Sequence, residues 1–174
     1  MYYKPKKQPK KAGISSVLLY GAAALLYVTG EFISPRLVYQ AAALVCVAVA
    51  LFITGRYLLT DYKYVLKDID QRGAEVTFSI IKINGQREVA MANFKMLSAF
   101  ALEKCKRLAT FEAIHGKADK YYNYCTNLSS DDAYKLGIDF NGMKVVFSIE
   151  LSDEMAQRIR DCIPCKDVNE DKAQ

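Results

Sequence analysis

Two apolar runs near the start of the chain, Ile14–Val28 and Leu37–Thr54, are separated by only TGEFISPR. No other feature constrains the fold as strongly. A hydrocarbon layer of about 30 Å needs roughly 20 apolar residues at about 1.5 Å each. The stretch Leu37–Leu59 meets this with Gln40 and Arg56 as its strongly polar interruptions, both near its ends. Gly13–Ile33 meets it with Glu31 at the interface. Backbone groups in lipid must be satisfied within the segment, so both runs are expected to be helices. A cleaved signal peptide accounts for the basic start, but not for the length of the first run or for the second that follows at once. The reading is a transmembrane hairpin.

Lysines set the expected orientation. Lys4, Lys6, Lys7, Lys10 and Lys11 precede the first run, Arg36 is the one basic residue between the runs, and Arg56, Lys63, Lys67 and Arg72 follow the second. The positive-inside rule then places both termini in the cytosol, making a multi-pass protein of the plasma membrane. The basic tail sets topology, and it also suits contact with anionic lipid. Small residues suggest where the helices touch: Ala42, Cys46 and Ala50 on one helix, Gly21 and Ala24 on the other. Neither run has an ionisable residue near its centre, which argues against a pump or channel.

From Asp61 onward 17 basic residues face 18 acidic ones, whereas the first 60 residues carry seven basic and one acidic. The soluble region is therefore not basic, and no nucleic-acid partner is expected. Five cysteines lie at 46, 105, 125, 162 and 165. The pair Cys162-Ile163-Pro164-Cys165 closes an apparent helix, the end where the dipole disfavours thiolate. A zinc site there would need two more ligands, from Cys105, Cys125 or His115, and no second CxxC exists. His115, the one histidine, reads as a surface loop residue. No catalytic, cofactor-binding or metal-binding residue is expected, and no cofactor.

After Tyr57 the pattern becomes alternating. Val76, Phe78 and Ile80 share a face in AEVTFSIIKI, Asn84-Gly85 signals a two-residue hairpin, and QREVAMA returns. A second hairpin is predicted in AYKLGIDF, Asn141-Gly142 and KVVFSIEL, with Tyr134, Leu136, Ile138 and Phe140 opposite Val145, Phe147, Ile149 and Leu151. YLLTDYKYVLK is an opening strand running out of the second membrane helix. SAFALEK is a strand or a helix, KYYNYCTNL alternates, and Lys106–Asp119 is a connector with a short helix. Ser152 caps a last helix with Met155, Ile159 and Cys162 or Ile163 on its apolar stripe. The residue ranges expected are a basic cytosolic tail over 1–12, the hairpin over 13–59, a sheet domain over 60–165 and a disordered tail over 166–174.

About seven antiparallel strands followed by a C-terminal helix is an α+β layout that resembles the pleckstrin-homology-like (PH-like) group. Bacterial membrane proteins of that group place a helical hairpin before the domain, and RYLLTDYKYVL looks like their first strand. With its KYYNYC strand, the chain is also similar to uncharacterised two-helix proteins of Gram-positive anaerobes. One departure bears on ligands. The first hairpin loop, KDIDQRG over 67–73, sets Asp68 and Asp70 against Lys67 and Arg72, unlike the basic cluster of phosphoinositide-binding members. The expected function is a membrane-anchored cytosolic interaction module, not an enzyme, contacting the lipid bilayer and a protein partner, or a second copy through the membrane helices. The alternative is a small transporter or assembly subunit acting through the hairpin. Thiol redox chemistry at Cys162 and Cys165 stands behind both.

Overall fold

The computed structural model describes residues 1–67, 76–128 and 130–164. The acidic part of the 67–73 loop, Cys165 and the tail 166–174 lie outside the described residues. The chain is α+β: a two-helix hairpin, two four-stranded sheets and a C-terminal helix.

The chain opens with β1 (Tyr2–Tyr3) and enters α1 (Pro9–Phe32), where Pro9 occupies a first-turn position that its fixed φ suits. After a turn come α2 (Arg36–Ile53) and a π-helical turn over Thr54–Leu58. The two helical spans, of 24 and 23 residues, are long and apolar enough to cross a membrane. Thr29 returns its hydroxyl to Leu25 O at 2.9 Å, so this polar group is satisfied inside its own helix. The helices meet along Ala12, Ser16, Ala23 and Gly30 on α1 and Ala43 and Ala50 on α2, all buried. Ala50 lies in the expected contact, with Ala42 and Cys46 half-buried beside it, but Gly21 and Ala24 are exposed. The reason is the period. The buried residues recur every seven positions, from 16 to 23 to 30 and from 43 to 50, the repeat of a left-handed crossing. Gly21 is about 200° around the helix from Ala23. At Gly30 the backbones come so close that an added Cβ would sit 2.9 Å from Tyr39 Cβ.

The first sheet combines β1 with β2 (Thr60–Lys67), β3 (Thr77–Asn84) and β4 (Arg87–Lys95), in that order and all antiparallel. The strand out of the second helix starts at Thr60 rather than Tyr57, because the helix winds on through Leu58. Thr60 Oγ1 then donates to Gly55 O at 2.9 Å and closes the end. The β3–β4 turn is Gly85-Gln86, one residue later than expected. Asn84 pairs with Arg87, and Gly85 takes φ +61° at the first central position, as a type II′ turn needs. Met91 is an extra residue in a bulge, since Ile80 faces Ala92 and Ile81 faces Ala90.

A 3₁₀ turn over Met96–Ser98 leads to β5 (Ala99–Lys104), so SAFALEK is mostly strand. The connector does hold a helix, α3 (Leu108–His115), and β6 (Lys120–Asn123) follows. The second hairpin, β7 (Ala133–Phe140) and β8 (Met143–Glu150), turns at Asn141-Gly142 with φ of 53° and 84°, the type I′ pattern. The sheet order is β5-β7-β8-β6. Strand β6 runs parallel to β8, not antiparallel, and β1 raises the described strands to eight.

The inner faces of both sheets form one core around Tyr64, Leu66, Phe78, Ile80, Leu136 and Phe147. Its end is closed by α4 (Asp153–Cys162), capped by Ser152 Oγ accepting from Met155 N at 3.3 Å. Met155, Ala156 and Ile159 are fully buried. Burying Met155 and Ile159 contributes roughly 3–6 kcal/mol, which holds a helix too short to persist alone. On the outer face of the second sheet, Ala101, Phe111 and Val146 form a smaller cluster under α3. Phe140, expected inward, is 41 % exposed at the open end of its hairpin.

Candidate functional site

Strand β7 is buried on both faces. Tyr134, Leu136 and Ile138 point into the core, while Ala133 and Lys135 lie on the outer face under the loop that follows β6. That loop folds over the sheet because Glu150, 2 % exposed, anchors it. One carboxylate oxygen accepts from Asn127 N and the other from Asn127 Nδ2, both at 3.0 Å. Burial nonetheless pushes the Glu150 carboxyl above its ordinary range.

Between loop and sheet lies a polar cavity of about 240 Å³. Its floor is Lys135, 2 % exposed, on β7 and Ser148, 2 % exposed, on β8, cross-strand neighbours in the ladder. Lys135 Nζ donates to Ser148 Oγ at 2.6 Å and to Tyr121 Oη at 3.3 Å. Cys125 Sγ is 3.2 Å from Ser148 Oγ. Burial pushes the Cys125 thiol up and outweighs the Ser148 hydrogen bond, so the thiol stays protonated at neutral pH and is a poor nucleophile. The Lys135–Ser148 distance is that of a serine–lysine dyad. Ser148, however, sits within β8 with strands paired on both sides, and its carbonyl accepts from Tyr124 N. The ladders occupy the backbone donors that would have to cradle an oxyanion beside it.

The cavity sits at the open end of the helical hairpin. Asn127 Oδ1 accepts from Gln8 N at 2.6 Å and Asn127 Nδ2 donates to Lys6 O at 3.2 Å, one turn before α1. Asn123 O accepts from Arg56 Nη2 at 2.6 Å, in the π-helical turn that ends the second span. The Arg56 guanidinium also lies over the rings of Tyr62 at 4.8 Å and Tyr57 at 5.2 Å. Nearby, Asp61 binds Lys7 at 2.6 Å and Lys4 at 3.3 Å. Burial alone would raise the Asp61 carboxyl, but the two lysines outweigh it and hold it below its ordinary range.

Cys162 is the last residue of α4, half-buried and packed against the core, and its CxxC partner Cys165 lies outside the described residues. Among the described residues no set of three His, Cys, Asp or Glu side chains converges for a metal. His115 ends α3 instead of standing in a loop, with Nε2 3.3 Å from Glu103 Oε1 and its ring 4.7 Å from that of Phe111. Lys135 escapes the alternation rule, which sends it to solvent. The signal that could have found it is the small or apolar character of its face: Ala133, Gly137, Ala101 and Val146 fill positions that a wetted sheet gives to polar residues.

A second cavity, of about 690 Å³, is a groove between α1 and α2 lined by Tyr20, Ala23, Tyr27, Gln40, Ala43 and Val47 among others. No family model, no curated protein and no solved structure matches this chain.

Proposed function

We propose that the chain is a membrane-anchored interaction module. Helices α1 and α2 cross the plasma membrane with both ends of the hairpin in the cytosol. The sheet domain, a PH-like scaffold of two sheets closed by a helix, works at the inner leaflet against the lipid surface or a protein partner held there. The observation that carries this reading is the double attachment of the domain. Residues before α1 pair with β2, and Asn123 and Asn127 bond to the two hairpin ends. A domain carried as cargo needs one tether, whereas this one is fixed in a single orientation to its anchor. Lys6, Lys10 and Lys11 are exposed at that end with no ion pair among the described residues. Each adds about 1 kcal/mol of attraction to an anionic leaflet.

The transporter alternative is disfavoured by the helix contact, where the buried residues are Ala, Ser and Gly with no ionisable group among them. An assembly subunit acting through the groove at Tyr20 and Gln40 stays the alternative. The test is topology and partners together. In intact cells a cysteine at Ser34 should react with an impermeant maleimide and one at Lys117 should not, and the protein should stay in carbonate-washed membranes. Extraction by carbonate, or the reverse labelling, rejects the anchored reading. Co-purified partners that survive shortening of the hairpin support the module, and partners lost with the helices alone support the assembly subunit.

A further inference from the structure

Among the described residues the charge of Lys135 has no counter-charge within ion-pair distance. Its ammonium carries three protons, and two of them go to Ser148 Oγ and Tyr121 Oη. Among the described residues it has no third acceptor and no carboxylate within 4.0 Å. Glu103, its partner across β5, faces His115, and Glu150, two pairs along β8, gives both oxygens to Asn127. A buried ammonium left unpaired is costly, and an anion placed against it relieves that cost.

The cavity above Lys135 is built to admit one. Among the described residues its lining holds two lysines, Lys135 and Lys106, and no carboxylate. Further donors face the same space. The Tyr121 hydroxyl accepts from Lys135 and keeps its own proton, and the Asn123 amide nitrogen bonds no protein group among the described residues. Among the described residues Lys106, at the rim, is paired only with exposed Asp131. Donors thus come from β6, β7 and the segment between β5 and α3, separate directions that suit a tetrahedral oxyanion better than a planar one. A volume of about 240 Å³ holds a phosphate with a small substituent.

We propose that this cavity binds a phosphate-type oxyanion against Lys135, either the monoester headgroup of an anionic lipid or a soluble phosphomonoester. Position favours the headgroup. Asn123 and Asn127, in the cavity wall, bond to Arg56 and to Lys6 and Gln8 at the two ends of the apolar hairpin, the level at which lipid phosphates lie in a bilayer. The lipid arm rests on the membrane-anchored reading, whereas the phosphate arm does not.

The test uses the full chain. Inorganic phosphate is titrated into detergent-solubilised protein and followed by phosphorus NMR. Separately, nanodiscs of phosphatidylcholine are prepared with phosphatidic acid or with phosphatidylglycerol, and retained lipid is read by native mass spectrometry after a delipidating wash. Phosphate should bind the wild type, and Lys135→Met should weaken it at least about tenfold, the loss of one charge-assisted bond. Retention of phosphatidic acid over phosphatidylglycerol, abolished by Lys135→Met, assigns the site to a lipid. Phosphate binding with equal retention of the two lipids assigns it to a soluble phosphomonoester. No phosphate binding by the wild type, or equal binding by Lys135→Met, overturns the proposal. Should Lys135→Met fail to fold by tyrosine circular dichroism, Lys106→Gln at the exposed rim decides, and an unchanged phosphate affinity there overturns it. Release of the protein from membranes by carbonate rejects the anchor while the detergent titration still decides the site.

Discussion

The hydroxyl of Tyr64 joins the two sheets. Tyr64 is fully buried on β2, donates to Tyr124 O at 2.9 Å and accepts from Glu150 N at 3.2 Å. Tyr62, two residues earlier on the same face and 4 % exposed, bonds no protein group through its hydroxyl among the described residues. Tyr64→Phe and Tyr62→Phe thus remove the same atom from the same strand with different consequences. The first leaves a buried amide and a half-buried carbonyl without partners. At about 1 kcal/mol for the carbonyl and up to about 2 for the amide, the loss is about 2–3 kcal/mol. With roughly 4–8 °C per kcal/mol for a domain of this size, the midpoint should fall by about 8–24 °C. Tyr62→Phe should shift it by no more than a surface substitution does, about 0.5 kcal/mol. The assay is thermal unfolding of the full chain in detergent, followed by near-ultraviolet circular dichroism of the buried tyrosines. Equal midpoints for the two variants would show that water replaces both bonds and would refute the inter-sheet role.

Gly30→Leu should loosen the helical hairpin by about 1–3 kcal/mol, because an added Cβ meets Tyr39 Cβ at 2.9 Å, whereas Gly21→Leu has open space. Detergent-titration melts that rank the two equally would contradict the packing. Asp61 sits below its ordinary value of 3.8, so the stability it lends through Lys7 and Lys4 is complete above that value and lost as pH falls beneath it. Acid unfolding should therefore begin at higher pH in the wild type than in Asp61→Asn once the two are matched in stability at neutral pH, and superimposable acid limbs would exclude the linkage. Cys125, its thiol raised by burial, should alkylate with iodoacetamide at neutral pH far more slowly in the native chain than in urea. Peptide mapping that finds equal rates would place Cys125 at the surface.

Much of this architecture is legible in the residues. The apolar runs announce two helices, and Asn141-Gly142 between two alternating octets fixes a hairpin to the residue. Asn84-Gly85 carries the same signal, yet Gly85 turns one step later, because a single positive φ at the first central position satisfies the type II′ alternative. Alternation reports that a strand exists, not its partner or direction, so the parallel pairing of β6 with β8 is invisible in KYYNYC. Two residues have no period at all, which hides β1. Helix contacts chosen by size alone find Ala50 but also Gly21, and only the seven-residue step separates them. The cavity escapes for a related reason. Lys135 looks like an outward polar residue until a loop, tied down by Glu150 far along the chain, covers it.

The pairing of Tyr3 with Tyr64 joins residues 61 apart in sequence. Closing a flexible loop of that length costs about 3–4 kcal/mol of chain entropy, more than a two-residue strand repays. The hairpin changes the distance that matters. Once α1 and α2 lie side by side, Pro9 and Leu58 end together, and only five residues on one side and one on the other separate the pairing strands from the helix ends. The residual closure cost falls below about 2 kcal/mol. Completion of the first sheet is thus coupled to formation of the helical hairpin: β1 has its short closure path to β2 only once α1 and α2 are docked. A fragment beginning at residue 60 never receives that strand. It carries the rim of β2 at Tyr64 and Val65 with its backbone donors and acceptors uncovered, a template on which the β2 of another copy can pair.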